Sequence, residues 1–378
     1  MALIIAVPRE TETKETRVAL TPSSLKPLLA AGFDITIEPA AGQAAHYADE
    51  AFVQAGARIA PDRATLFAQA DVILAVNPPP LADIAQMKSE GVLISLMYAY
   101  TRPELVEVLL DKSITVFAMD AVPRISRAQK MDALSSQANL AGYKAVILGA
   151  AALGKIFPLL MTAAGTITPA KVLIFGAGVA GLQALATAKR LGAVVEVTDV
   201  RSETKEQVES LGGRFLTVEG EGVQTEGGYA KEVSEEYLRK QKAMIEKHVQ
   251  EADLIITTAQ VMGKKAPILV SEEMVKSMRP GAVIVDMAVS SGGNCALSEP
   301  GQTVQKHGIT IIGEINLPAL LPINASELYA RNISTLLLHL GNGEGFQWDF
   351  EEEITGGSVI THQGEIKHRL TAEILGKA

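Results

Sequence analysis

What this chain has little of narrows the field before any motif is read. A single cysteine, Cys295, among 378 residues leaves no internal disulfide and no thiolate cage for a metal, and it fits a reducing compartment. Aromatic residues make up 4% of the chain, with one Trp, too few for the Tyr- and Trp-rich core of a β-sandwich. Positive charge is not in excess. The 34 Lys and Arg face 43 Asp and Glu, a formal net charge of −9, which argues against a general electrostatic binder of nucleic acid. No apolar run reaches the ~20 residues that a spanning helix needs. The longest charge-free stretch, residues 172–188, carries Gly176, Gly178 and Gly181 and reads as strand, turn and helix. The opening MALIIAVPRE lacks the basic lead and apolar length of a secretory signal. The expectation is a chain without a membrane span of its own.

What is present is a large apolar fraction, 48%, distributed as short runs between amphipathic stretches. Residues 2–7, 33–38, 72–76, 92–97 and 114–119 read as strands, with helical patterns at 22–31, 81–88 and 103–112 between them. A polar segment at 123–132 interrupts this series, and a long helix is expected over 137–152. A second series follows, with strands near 171–175, 194–198, 254–257, 282–286 and 309–312, and a last helix near 326–340. Strand-like pieces at 348–350 and 358–362 complete the pattern. Repeated βα units predict an α/β fold with mostly parallel sheets and helices on both faces. Residues 219–231 have no apolar periodicity and two Gly-rich spots, and are expected to form a mobile loop before a charged helix starting near 231.

One motif carries chemistry. Lys171-Val-Leu-Ile-Phe-Gly176-Ala-Gly178-Val179-Ala180-Gly181 is a strand, a G-x-G-x-x-G turn and a helix start in the right order. Gly176 permits the tight turn, Gly178 lets the backbone approach a pyrophosphate, and Gly181 lets helix and strand pack closely. The helix N-terminus offers N–H groups and the positive end of its dipole to the phosphates. The next strand ends in Asp199, placed to accept the two hydroxyls of an adenosine ribose and to repel a 2′-phosphate, which favours NAD over NADP. Arg201 nearby weakens that preference slightly without reversing it.

Other searches are negative. Gly149-Ala-Ala-Ala-Leu-Gly154-Lys155 fits the spacing of a nucleoside-triphosphate loop, but Ile156 stands where Ser or Thr must hold Mg²⁺, and the stretch reads as helix interior. The six histidines show no metal-ligand spacing, so no metal is expected. Cys295, in a Gly-Gly-Asn-Cys turn, reads as a packing residue rather than a nucleophile.

With Val7-Pro-Arg-Glu and Thr16-Arg17-Val-Ala-Leu-Thr-Pro22 added to the glycine turn, the sequence resembles the alanine dehydrogenase and nicotinamide nucleotide transhydrogenase superfamily. The segment from Pro123 to Tyr143 looks like the Arg-Gln-Asp loop region of the NAD-binding component of proton-translocating transhydrogenase. Met161-Thr-Ala-Ala-Gly165, the stretch from Thr204 to Gly213, Gly227-Gly-Tyr-Ala-Lys231 and Gly292-Gly-Asn-Cys295 also match.

The resemblance implies the alpha subunit component of an NAD(P)⁺ transhydrogenase, Re/Si-specific and proton-translocating. This chain would bind NAD(H) and a partner beta component NADP(H), while membrane-spanning subunits carry protons. It further implies two Rossmann-like, doubly wound parallel-sheet domains with the cofactor in the cleft between them. One domain would be residues 1–134 plus 328–378, the other 135–327. The subunit would be a homodimer, cytoplasmic and held at the face of the inner membrane through its partners.

Carried over by position, Arg124, Gln129, Asp132, Ser135 and Tyr143 would line the nicotinamide end, with Lys130 and Met131 in the same loop. Gln129 would reach toward the partner nucleotide. Gly176 to Gly181, with Val179 and Ala180, would cradle the pyrophosphate, and Asp199, Val200 and Arg201 would hold the ribose region. Gly228, Tyr229 and Gln241 match the mobile loop and its following helix. Gln260 stands where the family usually has Leu, beside the adenine side.

An amino-acid dehydrogenase is the alternative. Such an enzyme needs a group to polarise the substrate carbonyl and a proton donor. Where alanine dehydrogenases carry Lys and His, this chain has Asn77 and a Tyr98-Ala99 pair, and Ser290 replaces an expected acid. Arg17 is retained but cannot run that chemistry alone. Nicotinamide-to-nicotinamide hydride transfer needs the rings held in contact and water excluded, and positioning supplies the rate.

Overall fold

The computed structural model describes residues 2–217, 235–260 and 263–376. The chain divides into two compact units, Met1–Gln137 with Pro318–Ala378, and Ala138–Leu317.

The first unit is built on β1 (Ile4–Val7), β2 (Asp34–Ile37), β3 (Arg58–Ile59), β4 (Val72–Leu74), β5 (Val92–Ser95) and β6 (Thr115–Ala118). They lie in the order β6-β5-β4-β1-β2-β3 and run parallel. Successive side chains serve opposite faces, as the period of two requires. Ile5, Val7, Val72 and Leu74 pack into one core with Leu25 and Leu28. Ala6 and Ile73 join a second core with Phe67 and Val106. Both faces are therefore covered, the condition for a parallel sheet.

In the second unit, β7 (Leu160–Thr162) and β8 (Gly165–Ile167) form an antiparallel hairpin of their own. The main sheet contains β9 (Lys171–Phe175), β10 (Val194–Thr198), β11 (Arg214–Phe215), β12 (Leu254–Thr257), β13 (Val283–Asp286), β14 (Thr303–Lys306) and β15 (Ile309–Ile312). Its order is β11-β10-β9-β12-β13-β15-β14, parallel except for β14. The strands on either side of β9 are reached by crossovers in opposite directions. The carboxyl end of β9 is thus a topological switch point, where open α/β sheets bind ligands.

The chain then re-enters the first unit through the helix Pro322–Leu340, whose Tyr329, Ile333, Leu336 and Leu337 are buried. After the short pair β16 (Gly341–Asn342) and β17 (Gly345–Phe346), β18 (Val359–His362) lies antiparallel against β6, with β19 (Glu365–Ile366) beyond it.

Several expectations need correction. Residues 348–350 form no strand: Trp348 stacks on Phe346 and Phe117, with ring centroids 4.8 and 5.7 Å apart. The long helix is Ala133–Ala152, starting before 137 because Asp132 caps it. That helix also ends before Gly154 and Lys155, so Gly149–Lys155 is not helix interior throughout. Lys155 Nζ pairs with Asp253 Oδ2 at 2.8 Å. The expected loop at 219–231 lies outside the described residues, and the helix after it is described from Glu235 to Glu251. Among the described residues no helix is long and apolar enough to cross a membrane.

Candidate functional site

The turn leaving β9 is shaped by three glycines with different tasks. Gly176 has φ +105°, a left-handed conformation that side chains disfavour, and a Cβ there would overlap Thr258 Oγ1. A Cβ on Gly181 would overlap the Gly176 carbonyl oxygen, so helix and strand meet with nothing between them. Gly178 is the N-cap of the helix Val179–Arg190, and among the described residues only Arg201 Nη2, at 4.0 Å, comes near its Cβ position. The first and third glycines make the turn compact, while the second leaves its backbone open. The amides of the first helical turn have no carbonyl four residues earlier within the helix, which suits them to an anion.

Asp199, at the end of β10, faces this turn. Its Oδ2 accepts from Ala177 N at 2.7 Å, and its Oδ1 from Arg201 N at 2.8 Å. The Arg201 side chain adds Nε to Oδ1 at 3.0 Å and Nη2 to Oδ2 at 2.9 Å. Burial would raise the carboxyl, but the Arg201 guanidinium and the two amides hold it below the usual range. Val200, between them, is almost fully exposed.

The far wall of the turn is fixed from β12 and β13. Thr258 Oγ1 donates to Phe175 O at 3.0 Å. Asn294 Oδ1 accepts from Ala259 N at 3.0 Å, and its Nδ2 donates to Ala259 O and Pro267 O at 2.9 and 2.8 Å. Asp286 in turn accepts from Asn294 N and Cys295 N, both at 2.9 Å, and from Ser298 Oγ at 2.7 Å. Gln260 is exposed, and its Nε2 donates to Met287 O at 3.1 Å. Cys295 is buried, and burial pushes its thiol up, which suits packing rather than nucleophilic attack. Gly142 abuts Ala180 so closely that a Cβ would overlap the Ala180 carbonyl, bringing the long helix against the glycine turn. Tyr143, one residue on, is exposed. Gln241 is half-buried on the helix Glu235–Glu251, and Gly228 and Tyr229 lie outside the described residues.

Arg124, Gln129, Asp132 and Ser135 belong to the first unit. Arg124, Gln129 and Lys130 are exposed, whereas Met131 is buried. Asp132 Oδ1 accepts from Ser135 N at 2.8 Å, and its Oδ2 from Ser135 Oγ at 2.6 Å, which caps the long helix. Asn332 braces the turn by donating Nδ2 to Lys130 O at 2.8 Å and accepting from Ser136 Oγ at 2.7 Å.

Arg17 and Asn77, far apart in the sequence, are joined in one buried cluster with Glu10 and Glu15. Arg17 is buried and donates to both Glu15 oxygens and to Gln137 Oε1 at 2.9 Å. Asn77 Nδ2 donates to Glu15 Oε2 at 3.0 Å and to Glu10 Oε2 at 3.2 Å, and Val76 N donates to Glu10 Oε1 at 2.6 Å. The signal was the pair of acids flanking a polar loop between apolar runs, which composition alone does not separate from a solvated turn. Among the described residues no group of three or more His, Cys, Asp or Glu stands together as a metal site.

Comparison with known families follows this geometry closely. Residues 6–141 match the model described as "Alanine dehydrogenase/PNT, N-terminal domain", and residues 145–369 match "Alanine dehydrogenase/PNT, C-terminal domain". The chain belongs to the alanine dehydrogenase/PNT family. It is similar to an NAD(P) transhydrogenase subunit alpha component of Rhodospirillum rubrum, 49% identical over 374 residues, covering 96% of this chain and 97% of that protein. Among solved structures, the transhydrogenase from Sinorhizobium meliloti aligns with a TM-score of 0.87 at 42% identity, over 96% of this chain and 99% of that one. An L-alanine dehydrogenase aligns with a TM-score of 0.84 at 28% identity, over 99% of both chains. Both structures match the two parallel-sheet α/β units expected from the sequence. Of the two branches that give the family its name, these relatives place the chain with the transhydrogenase alpha subunits.

Proposed function

We propose that this chain is the NAD(H)-binding component of a proton-translocating, Re/Si-specific NAD(P)⁺ transhydrogenase. In this reading a partner beta component binds NADP(H), and membrane-spanning subunits couple the reaction to proton movement. The observation that carries the reading is the glycine turn at the switch point of the second unit's sheet, with Gly178 open at its backbone and the neighbouring Ala177 amide held by the Asp199 carboxylate. The bound nicotinamide supplies the chemistry, a hydride at its ring that passes directly to the ring of NADP⁺.

The chain's own residues then bind and position. The amides at the start of the helix Val179–Arg190 hold the pyrophosphate, and Asp199 holds the ribose. Arg124, Gln129 and Asp132 orient the nicotinamide end together with Ser135 and Tyr143, Gln129 being the one directed at the partner nucleotide. The carboxylate of Asp132 is already engaged by Ser135, which fixes its orientation. The Arg17 guanidinium is likewise engaged, by Glu15 and Gln137. With Asn77 and the Tyr98-Ala99 pair standing where alanine dehydrogenases carry Lys and His, hydride exchange is favoured over amino-acid oxidation.

A homodimer, acting on the cytoplasmic face of the inner membrane through its partners, belongs to the same proposal. The hairpin of β7 and β8 supports it. Leu159, Met161 and Ile167 are 54, 74 and 45% exposed, an apolar surface of the kind that subunits cover.

The test is single-turnover transfer of deuterium from 4-deuterated NADH to NADP⁺, with the purified chain alone and with an NADP-binding partner component added. Label in NADPH only when the partner is present is the expected result. No transfer, despite NADH binding and partner docking, overturns the proposal.

A further inference from the structure

Four donors converge on the Asp199 carboxylate, two per oxygen: Ala177 N and Arg201 Nη2 on Oδ2, Arg201 N and Nε on Oδ1. A carboxylate offers about four acceptor positions, so this one is saturated. On each oxygen one donor is a backbone amide held by the fold. The other is a guanidinium nitrogen.

The positions that can be freed without moving backbone are therefore one on each oxygen, side by side. That is the pattern a vicinal diol requires to donate both hydroxyls. Exposure is also one-sided: the Asp199 side chain is 6% exposed and that of Arg201 51%. Nη2 lies 4.0 Å from the Cβ position of Gly178, so the guanidinium rests over the open backbone of the turn.

We propose that Arg201 is a built-in surrogate for the ribose diol, its Nε and Nη2 occupying the two acceptor positions on Asp199 that a nucleotide's hydroxyls take, and that binding exchanges one for the other. The inference rests on the reading of Asp199 as the ribose partner. It changes what the diol contributes. The hydroxyls gain two hydrogen bonds to a carboxylate, but the ion pair that held their places is given up. Arg201 thereby sets how strongly the chain distinguishes a ribose from a 2′-deoxyribose.

Isothermal titration of the full purified chain with NAD⁺ and with its 2′-deoxyadenosine analogue tests this through the ratio of the two Kd values. In Arg201→Ala the preference for NAD⁺ widens, by about threefold or more. In Asp199→Asn it falls toward one. An unchanged or narrower ratio in Arg201→Ala, with collapse in Asp199→Asn, overturns the surrogate and leaves the ribose assignment standing. A ratio indifferent to Asp199→Asn removes the ribose assignment and the surrogate with it. Arg201 is a surface side chain, so circular dichroism of the variant is expected to match that of the parent.

Discussion

Arg17 grips Glu15 with two nitrogens, Nε to Oε1 at 2.8 Å and Nη2 to Oε2 at 2.6 Å, where the two side chains are 6 and 1% exposed. Burial alone would raise the glutamate, but the arginine and Asn77 hold it down at about 2. A buried ion pair costs desolvation on both sides, and its removal from one side only leaves an uncompensated charge. Arg17→Ala is therefore expected to lower unfolding stability by ~3–5 kcal/mol, read from urea denaturation followed by circular dichroism. A loss below ~1 kcal/mol would mean that water reaches Glu15 readily.

Glu10 is the opposite case. Burial, with the charge of Glu15 adding, pushes its carboxyl up to about 7, against the lowering effect of the Val76 and Asn77 amides. Its folded value thus lies above the unfolded one of 4.5. The protonated form favours folding, so this contribution is complete below pH 4.5 and is lost as pH rises through 7. Glu10→Gln removes the dependence. Relative to the parent it should gain ~2–3 kcal/mol between pH 5 and 8, measured as urea midpoints at both ends. Parallel pH profiles for the two proteins would contradict the assignment. Glu15 does not obscure the window, because its own stabilising contribution is lost only as pH falls toward 2.

The glycine turn makes a steric prediction. A Cβ at position 181 overlaps the Gly176 carbonyl oxygen, which is backbone and has no rotamer to retreat into. Gly181→Ala should displace the start of the helix Val179–Arg190, cost ~1–3 kcal/mol, and weaken NADH binding about tenfold or more. Fluorescence titration with NADH reads the second effect. Binding at parental affinity would mean that the helix start does not touch the nucleotide.

Gln129 is exposed on a 3-10 turn that is braced by other residues, so shortening it should leave the fold intact. Gln129→Asn is expected to keep NADH affinity within about twofold while slowing hydride transfer about tenfold in the presence of the partner component. Stopped-flow single turnover separates the two effects. A large loss of affinity with an undiminished bound-state rate would contradict the alignment role.

Much of this was legible in the sequence because parallel strands are short apolar runs and glycine turns are local. Lys171–Phe175, the turn after it and Asp199 form a contiguous signal in which each residue has a backbone reason to be there. The hairpin of β7 and β8 was not legible, since its apolar residues alternate with nothing and face outward. Trp348 and Phe350 looked like strand residues because aromatics favour strands, yet here their rings stack instead of pairing their backbones. The buried acids escaped because a charged residue is read as exposed until its partner is known. Glu15 finds Asn77 across 62 positions, and Arg17 finds Gln137 across 120. Asp132 shows how one residue serves two readings: the hydrogen bonds that cap a helix are also what fixes its carboxylate in place.

The return of the chain into its first unit has a consequence for synthesis. Until β18 is made, the outer edge of β6 is unpaired, and the face that receives Tyr329 and Ile333 is uncovered. The ribosome must therefore complete all of residues 138–317 before the first unit can close. During that interval the nascent chain carries a sticky, half-finished sheet, and the second unit, whose segments are continuous, is free to fold first. Holdase chaperones acting on this protein should engage strands β1 to β6, and release them only when residues 318–378 emerge.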